Sequence, residues 1–344
     1  MFEVFIFTNG IFLGVLLLIQ RSELRNANLF LAFSLISLSL ELAPDLFEEE
    51  ADLLPDTSFF TVPLLFLYAQ RIMQGRLKAR LWLWLVPGII VNIVTLIITD
   101  EPPDLWLIIL LLVPFYAFNL YLLFSLHRRI ILHQRQLKEQ YANLETRTLS
   151  WIRGLVIIFL IFHFVWILDD GLLIMDFDFQ VLPLIAQLLT LAAVFWVGYH
   201  GFGQRASALI MTAKVEKPSA NMSETKGAEE MEQQFELVLS KLKQNKLYLN
   251  QELTLRLLAQ QVGVNEKRLS AWINKFTENN FYNLINQYRI AEFKEQLAQP
   301  ENQNFSLLGI AQNSGFKNKS TFYKVFKELE GITPNDYKKR LSEA

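Results

Sequence analysis

The sequence contains no cysteine among its 344 residues. Disulfide bonds, thiolate metal sites and cysteine nucleophiles are therefore excluded. Histidine is scarce, and the four histidines, His127, His133, His163 and His200, lack the close spacing of a metal site. The sequence also has no glycine-rich phosphate loop and no kinase or cyclase signature. We therefore expect no enzymatic activity, no metal and no cofactor.

Charged residues are also few. They make up 19% of the chain, against about a quarter in typical soluble domains, whereas hydrophobic residues make up 52%. A mean hydropathy of +0.25 is too high for one soluble globule, so part of the chain is expected to lie in lipid. Six of the seven tryptophans precede residue 200, the exception being Trp272. The chain thus combines an apolar N-terminal half with a polar C-terminal half.

Long apolar runs occur throughout the N-terminal half. A helix needs about 20 apolar residues to cross about 30 Å of hydrocarbon. The first run is not expected to be a cleavable signal peptide, because no basic residue precedes it and no small-residue cleavage site follows it. The seven candidate spans are Val4–Ile19, Ala27–Leu42, Ser58–Met73, Leu81–Thr99, Leu105–Leu126, Leu155–Leu168 and Val181–His200.

The loops between these spans alternate in charge. Loops one, three and five contain Lys and Arg, whereas loops two, four and six contain acidic residues and no Lys or Arg. Because cytoplasmic loops retain basic residues, this alternation predicts seven spans with the N-terminus outside and the C-terminus in the cytoplasm. The acidic outer loops could attract a cation or a basic peptide, although topology alone also explains them.

Polar residues inside the spans have two interpretations. They could line a ligand or ion site, or they could form hydrogen bonds between packed helices. No chain of Asp, Glu or Lys accompanies His163, so the pattern favours packing and gives little support to a proton relay or transporter. These residues are Asn92, Asn119, His163, Gln187 and His200.

The composition changes after His200. Lys214–Glu230 is polar, contains Pro, Ser and Gly, and has no apolar period, which is typical of a flexible tether. The predicted domains are a transmembrane domain over residues 1–204, a cytoplasmic linker over 205–230 and an all-α domain over 231–344.

The C-terminal domain begins with the pattern helix, glycine turn, helix, which is typical of a helix-turn-helix motif. Thr254 can cap the first helix, Gly263 ends it, and Asn265 can cap the second. The two apolar stripes are Leu255, Leu258, Ala259 and Val262, then Leu269, Trp272, Ile273 and Phe276.

The same pattern recurs downstream, where residues 310–316 repeat residues 258–264. Ser306 caps a helix that Gly315 ends, and Asn318 opens a second helix after a turn that is one residue longer. Between the motifs, Phe281–Leu297 predicts a long linking helix. The predicted stripes are Phe281, Leu284, Ile285, Tyr288, Ala291 and Phe293 in the linking helix, and Phe322, Val325 and Phe326 in the last.

The run Gly315–Lys339 resembles the second helix-turn-helix and closing helix of the AraC/XylS family of bacterial transcription regulators. Leu253–Lys275 is similar to that family's first motif, and the resemblance extends over Gln234–Leu341. Less specifically, the membrane half resembles the multi-span sensor domains fused to some members. The resemblance implies a membrane-anchored, sequence-specific DNA-binding regulator that senses an unknown signal. The alternative is a seven-span receptor or transporter whose helical tail is a protein-interaction scaffold.

A recognition helix needs one buried face and an opposite face of short or polar side chains with cations at its rim. The second helix of each motif has such a face, and the resemblance places the base-reading positions there. Ala271 departs from the family pattern, since many members have a long polar residue, often arginine. The predicted DNA-binding residues are Lys267, Arg268, Ser270, Ala271, Asn274 and Lys275, then Lys319, Ser320, Tyr323, Lys324 and Lys327.

The net charge of the C-terminal domain gives this prediction no support, since Ala228–Ala344 contains 16 Lys and Arg against 14 Asp and Glu.

The expected partners are double-stranded DNA, the lipid bilayer, RNA polymerase and an effector that the sequence does not identify, with homodimer formation left open. The expected location is the inner (cytoplasmic) membrane, crossed several times. The linker reaches about 30 Å, which leaves the domain at the membrane unless a protease cuts the tether. We favour DNA binding by the intact protein, because Lys214–Glu230 shows no feature that specifically demands cleavage.

Overall fold

A computed structural model describes residues 2–20, 24–47, 56–75, 77–97, 105–144, 149–175, 177, 179–203, 228–302 and 305–343. Over these residues the chain is all-helical, apart from one isolated antiparallel bridge between Tyr141 and Thr254. The chain forms two compact units. The N-terminal unit contains Met1–Leu132 and Leu149–Ala213, and the C-terminal unit contains His133–Thr148 and Lys214–Ala344. Most of the predicted linker lies outside the described residues.

Every predicted span overlaps a helix, although the end of Leu81–Thr99 lies outside the described residues. Among the described residues, four segments are long and apolar enough to cross a membrane, namely Phe2–Ile19, Ile109–Lys138, Ser150–Ile174 and Val181–Phe202. The helices are α1 Phe2–Ile19, α2 Arg25–Leu40, α3 Ala43–Leu46, α4 Ser58–Gln74, α5 Val86–Ile97 after a 3₁₀ helix at Ala79–Leu85, α6 Leu105–Lys138, α7 Ser150–Ile174 and α8 Val181–Gly203. Because α2, α4 and α5 have 16, 17 and 12 residues, the count of seven spans stays a prediction.

The N-terminal unit has one core, in which α2 packs against α1 and α4, and α8 packs against α7 and α1. The close approach of α7 and α8 depends on Gly154, where a Cβ atom would lie 2.6 Å from the Trp196 ring. The Trp196 indole donates a hydrogen bond of 2.9 Å to the carbonyl oxygen of Trp151. A small residue thus lets a large aromatic side chain connect two apolar helices.

Polar side chains inside the predicted spans form hydrogen bonds within this unit. The Gln187 amide donates to the Glu3 carboxylate at 2.6 Å, which links α8 to α1. The Asn92 amide donates to the carbonyl oxygen of Asp56 at 2.8 Å. Asn119 donates within its own helix to the carbonyl of Phe115. The contacts of Gln187 and Asn92 agree with the packing interpretation.

The C-terminal unit contains both helix-turn-helix motifs, α10 (Leu255–Val262) with α11 (Glu266–Thr277) and α13 (Leu307–Asn313) with α14 (Lys319–Glu330), joined by α12 (Phe281–Ala298). Ala291, which we predicted to lie in the buried stripe of α12, is exposed, because the helix buries a different set of residues that includes Arg289 and Glu292. The helices are α9 Ala228–Gln244, α10 Leu255–Val262, α11 Glu266–Thr277, α12 Phe281–Ala298, α13 Leu307–Asn313, α14 Lys319–Glu330 and α15 Pro334–Glu343, with 3₁₀ helices at Leu247–Leu249 and Pro300–Asn302.

Residues His133–Leu144, which we call the strap, also belong to the C-terminal unit. In the sequence they lie in a basic loop of the predicted transmembrane domain. The strap includes the end of α6 and then pairs with the chain just before α10: the amide of Leu255 donates to the carbonyl of Gln140 at 2.9 Å, and the amide of Ala142 donates to Leu253 at 3.4 Å. The C-terminal unit is therefore built from two separate stretches of sequence.

Candidate nucleic-acid interface

In the first motif, side-chain caps fix where each helix begins. The Thr254 hydroxyl accepts a hydrogen bond of 3.1 Å from the amide of Leu257 at the start of α10. The Asn265 side chain accepts from the amides of Lys267 and Arg268 at 3.0 and 3.4 Å. Gly263 ends α10 with φ of +77°, a left-handed conformation that suits glycine. The recognition helix α11 thus has a defined first turn.

The second motif repeats this arrangement with one difference. The Ser306 hydroxyl accepts from the amide of Gly309 at 3.0 Å, which caps α13. Gly315 has φ of +94° in the turn. Asn318 stands where Asn265 stands in the first motif, but its side chain makes no capping hydrogen bond within the described residues. The start of α14 is therefore less well fixed by local bonds.

The buried faces of the two recognition helices set the direction of their opposite faces. Leu269, Trp272 and Ile273 of α11 are buried, as predicted, and Phe276 is half-buried. In α14, Phe322, Val325 and Phe326 are buried, and the Phe322 ring lies 4.6 Å from that of Phe293 on α12. Each recognition helix therefore turns its polar face away from the core.

On α11, none of the predicted DNA-binding residues is buried. Ser270 is half-buried and the other five are exposed. The Arg268 guanidinium lies 5.7 Å from the Trp272 ring and the Lys275 ammonium 5.4 Å from the Phe276 ring. The Asn274 amide donates to the Glu139 carboxylate in the strap at 3.2 Å. The two flanking cations therefore cover apolar rings while keeping charged ends at the surface.

On α14, Lys319, Ser320, Lys324 and Lys327 are exposed and Tyr323 is half-buried. The Lys319 ammonium lies 5.4 Å from the Tyr323 ring. Lys324 is 3.9 Å from the Glu328 carboxylate, and both side chains are more than half exposed, so this ion pair is weak. The structure thus places the predicted residues together on one polar face of each helix, and their roles toward DNA stay predictions.

Arg289 on α12 lies between the two motifs and was missed by the sequence analysis. Its side chain is 1% exposed, and its guanidinium donates to the carbonyl oxygens of Tyr248 and Asn250, each at 2.8 Å. Burial lowers the pKa of Arg289 to about 10, so it stays charged at neutral pH. A signal was present, because Arg289 stands four residues after Ile285 and four before Phe293, in a buried helical row.

Glu292 forms a second polar centre on α12. Its carboxylate accepts hydrogen bonds from the Lys246 ammonium at 2.9 Å and from the Tyr248 hydroxyl at 2.8 Å. Burial acts to raise the pKa of Glu292, but the hydrogen bonds from Gln296, Lys246 and Tyr248 outweigh it and lower the pKa below its ordinary value. Arg289 and Glu292 together attach α12 to the connection between α9 and α10.

The N-terminal unit contains a cavity of about 320 Å³. Its described lining residues include the carboxylates of Glu41, Asp56 and Asp170 and the imidazole of His163, and no Lys or Arg. Thr61 donates to Glu41 and Ser58 donates to Asp56, each at 2.6 Å, and the Tyr116 hydroxyl donates to Asp170. Glu41 and Asp170 lie at or just beyond the ends of predicted spans, and the sequence did not predict this cavity because its lining residues come from distant segments. The aromatic lining residues are Phe115, Tyr116, Phe159, Phe162 and Trp166.

Comparison with known proteins gives one family match. Residues 258–340 match the family described as a helix-turn-helix domain, a stretch that begins within α10 and ends within α15. The chain is also 33% identical over 89 residues to YtdP, an uncharacterized HTH-type transcriptional regulator of Bacillus subtilis (strain 168). This alignment covers 26% of the chain and 11% of the relative. No solved structure matches the chain. The C-terminal unit therefore contains an AraC-type helix-turn-helix domain, and the likenesses support a DNA-binding transcription regulator.

Proposed function

We propose that this chain is a membrane-anchored, sequence-specific DNA-binding transcription regulator. The observation that supports it most is the pair of recognition helices, α11 and α14, each with a buried apolar face and an exposed polar face that carries cations. Two such helices in one chain suit two successive major grooves, about 34 Å apart, without a dimer. RNA polymerase is the further partner through which such a regulator would act on transcription.

The two recognition helices would read DNA by different contacts. Lys324 on α14 can donate to the O6 and N7 atoms of guanine. Ala271 on α11 can make only apolar contact, for which the methyl group of thymine is the matching partner. Lys319 and Lys327, both exposed on α14, would contact phosphates. We therefore expect α14 to supply most of the sequence preference.

Selection from random duplex DNA with the full chain tests this function. We expect enriched sequences with two conserved boxes whose centres lie about 10 base pairs apart. A variant with Lys319, Lys324 and Lys327 all changed to Ala should enrich nothing. A matched control changes Lys243, Lys338 and Arg340, which are exposed and lie outside the recognition helices, to Ala and should select the same boxes. If neither the native chain nor the control enriched any sequence, the result would favour the alternative, a receptor or transporter whose tail is a protein-interaction scaffold.

Membrane anchoring is proposed from the four helices long and apolar enough to span a bilayer. Large apolar side chains on them are exposed, with Phe12 at 60%, Phe124 at 66% and Phe164 at 60%. Exposed apolar side chains on these helices are expected if the helices are surrounded by lipid and not by water. Reporter fusions after Asp56, Pro103 and Asp176 should score as external, and fusions after Arg80 and Arg135 as cytoplasmic. A basic loop that scored as external would contradict the topology.

Sensing is proposed for the N-terminal unit, with the cavity as the place where the effector binds. Three carboxylates beside aromatic rings, with no Lys or Arg among the described lining residues, favour a cation that has an apolar part. Organic amines and carboxylates of matched carbon skeleton should be compared by thermal unfolding of the full chain in detergent. We expect stabilisation by amines, lost in Asp170→Asn and kept in the surface control Glu301→Gln. Stabilisation by carboxylates alone would contradict the proposal.

A further inference from the structure

We propose that the strap, residues His133–Leu144, is a permanent part of the DNA-binding unit and holds its two helix-turn-helix motifs in place. The proposal goes beyond the proposed function, because it concerns which stretches of the chain that unit requires. Its first basis is the apolar packing of the strap. Ala142 belongs to the core of the first motif, whereas Leu137, Tyr141 and Leu144 belong to the core of the second. The strap therefore contributes side chains to both cores.

The second basis is a carbonyl oxygen that the strap supplies to buried donors. The carbonyl of Ala142 accepts hydrogen bonds from the Arg289 guanidinium at 3.3 Å and from the Asn286 amide at 3.5 Å. Arg289 and Asn286 are each 1% exposed. A buried charge or amide that loses its acceptor is strongly destabilising. The linking helix α12 thus needs the strap to satisfy two of its polar side chains.

The third basis is the position of these contacts between the motifs. The Arg289 guanidinium also lies 5.9 Å from the ring of Phe316, which is in the turn of the second motif. At the first motif, the backbone of the strap pairs with residues 253–255, at the start of α10. Glu139 reaches Asn274 on the recognition helix α11. One segment therefore contacts both motifs and the helix that joins them.

A consequence concerns release of the DNA-binding unit by proteolysis. The N-terminal and C-terminal units are joined in sequence through the strap as well as through the linker. A protease that cuts within residues 205–227 leaves the strap attached to the N-terminal unit. The C-terminal fragment then stays bound through the packing and hydrogen bonds of the strap. Cleavage of the linker alone should not release it.

The first experiment measures this retention without using DNA. A protease site is placed within residues 205–227 of the full chain, the linker is cut, and the N-terminal piece is captured by an affinity tag. We expect the C-terminal piece to co-purify. Leu137→Asp, which buries a charge, should reduce its recovery more than about tenfold, whereas the neighbouring exposed change Gln136→Asp should reduce it less than about twofold. Loss of the C-terminal piece from the unmutated chain would overturn the proposal.

A second experiment keeps the proposal testable if Leu137→Asp fails to fold. Tyr141 and Thr254 form an antiparallel pair that is flanked by two backbone hydrogen bonds but makes none itself. The Cα atoms of such a pair lie about 4.5 Å apart, a separation that a disulfide bond can bridge. Because the chain has no native cysteine, the pair Tyr141→Cys with Thr254→Cys can be oxidised without competing thiols. We expect this pair to cross-link in the full chain, and the pair Tyr141→Cys with Ser240→Cys not to.

DNA binding then shows whether the docked strap supports or blocks the interface. The oxidised chain should bind its selected DNA within about threefold of the reduced chain, because cross-linking fixes an arrangement that is already native. Failure to cross-link in a double variant that keeps the helical circular dichroism of the native chain would show that the strap is not docked. Loss of DNA binding on oxidation, restored by reduction, would show that docking is inhibitory. Either result would contradict the proposal, and neither would by itself contradict DNA binding by the native chain.

Discussion

Gly263 and Gly315 occupy the same position in the two helix-turn-helix motifs, yet their surroundings differ. Both have positive φ, +77° and +94°. Among the described residues, apart from its own chain neighbours, no heavy atom lies within 4 Å of a Cβ atom built on Gly263, whereas a Cβ atom on Gly315 would lie 2.6 Å from the carbonyl oxygen of Tyr248. The first glycine is thus required by backbone conformation, and the second also by close packing. The same residue in a repeated sequence pattern can therefore contribute differently to the stability of each motif.

The polar faces of the recognition helices differ as well. Counted from the capping positions Asn265 and Asn318, Ala271 in α11 corresponds to Lys324 in α14. A methyl group in one motif therefore stands where a lysine stands in the other. In the first motif a side chain caps the recognition helix, which is not so for the described residues of the second motif. In the second motif Lys324 offers a charged contact to DNA where the first motif has only the methyl group of Ala271. We infer that the motifs divide their roles between stable placement and base recognition.

The largest expected effect is the loss of stability when Gly315, compared with Gly263, is changed to Ala. Gly315→Ala should destabilise the C-terminal unit by roughly 2–5 kcal/mol, since a left-handed backbone and overpacking act together. Gly263→Ala should cost about 1–2 kcal/mol from the backbone alone. Hydrogen exchange of α12 and α14 amides in the full chain measures both. Equal effects of the two substitutions would show that the contact of Gly315 with the carbonyl of Tyr248 is unimportant.

Next is the contribution of each recognition helix to DNA affinity. Lys324→Ala should weaken binding of the selected sequence by about 1–3 kcal/mol and relax the preference at one base pair. Ala271→Ser should change affinity by less. Titration of labelled DNA with the full chain measures both, with Lys243→Ala on α9 as a control that removes the same charge. A loss that is uniform across site variants would assign Lys324 to a phosphate.

A smaller effect concerns pH and the helix that joins the motifs. The lowered pKa of Glu292 means that its ionised form stabilises the fold. This stabilisation is complete above the ordinary glutamate pKa of about 4.3 and is lost as the pH falls through the lower folded pKa. Glu292→Gln should therefore destabilise the unit by about 1–3 kcal/mol at pH 7 and reduce its acid sensitivity. Unfolding from pH 7 to pH 3 tests this, with exposed Glu301→Gln expected to behave like the native chain.

The smallest effect concerns the caps. Asn265→Ala should cost about 1 kcal/mol, because two amides at the start of α11 lose their acceptor. Asn318→Ala should cost less, since Asn318 makes no side-chain capping bond among the described residues. Amide exchange in the first turns of α11 and α14 compares the two directly. A larger loss at Asn318 would show that the second motif relies on a cap after all.

Local patterns were enough to predict both motifs. The stripe from Leu255 to Val262 and the glycine turns follow from helical periodicity and from the preference of glycine for positive φ, which neighbouring residues determine. The strap was not predicted, because Leu137, Tyr141 and Leu144 lie in a basic loop and contact partners that are more than a hundred residues later in the sequence. The cavity was missed for the same reason, since its carboxylates come from separate helices.

The bridge between Tyr141 and Thr254 also sets an order of events during synthesis. Ribosomes add about 5–20 residues per second, so the strap precedes its partner by roughly 5–20 s. During this interval Leu137, Tyr141 and Leu144 lack the core that later buries them, while α7 and α8 are still being made. A nascent chain arrested before Thr254 therefore presents an apolar segment, to which chaperones that recognise exposed hydrophobic side chains can bind.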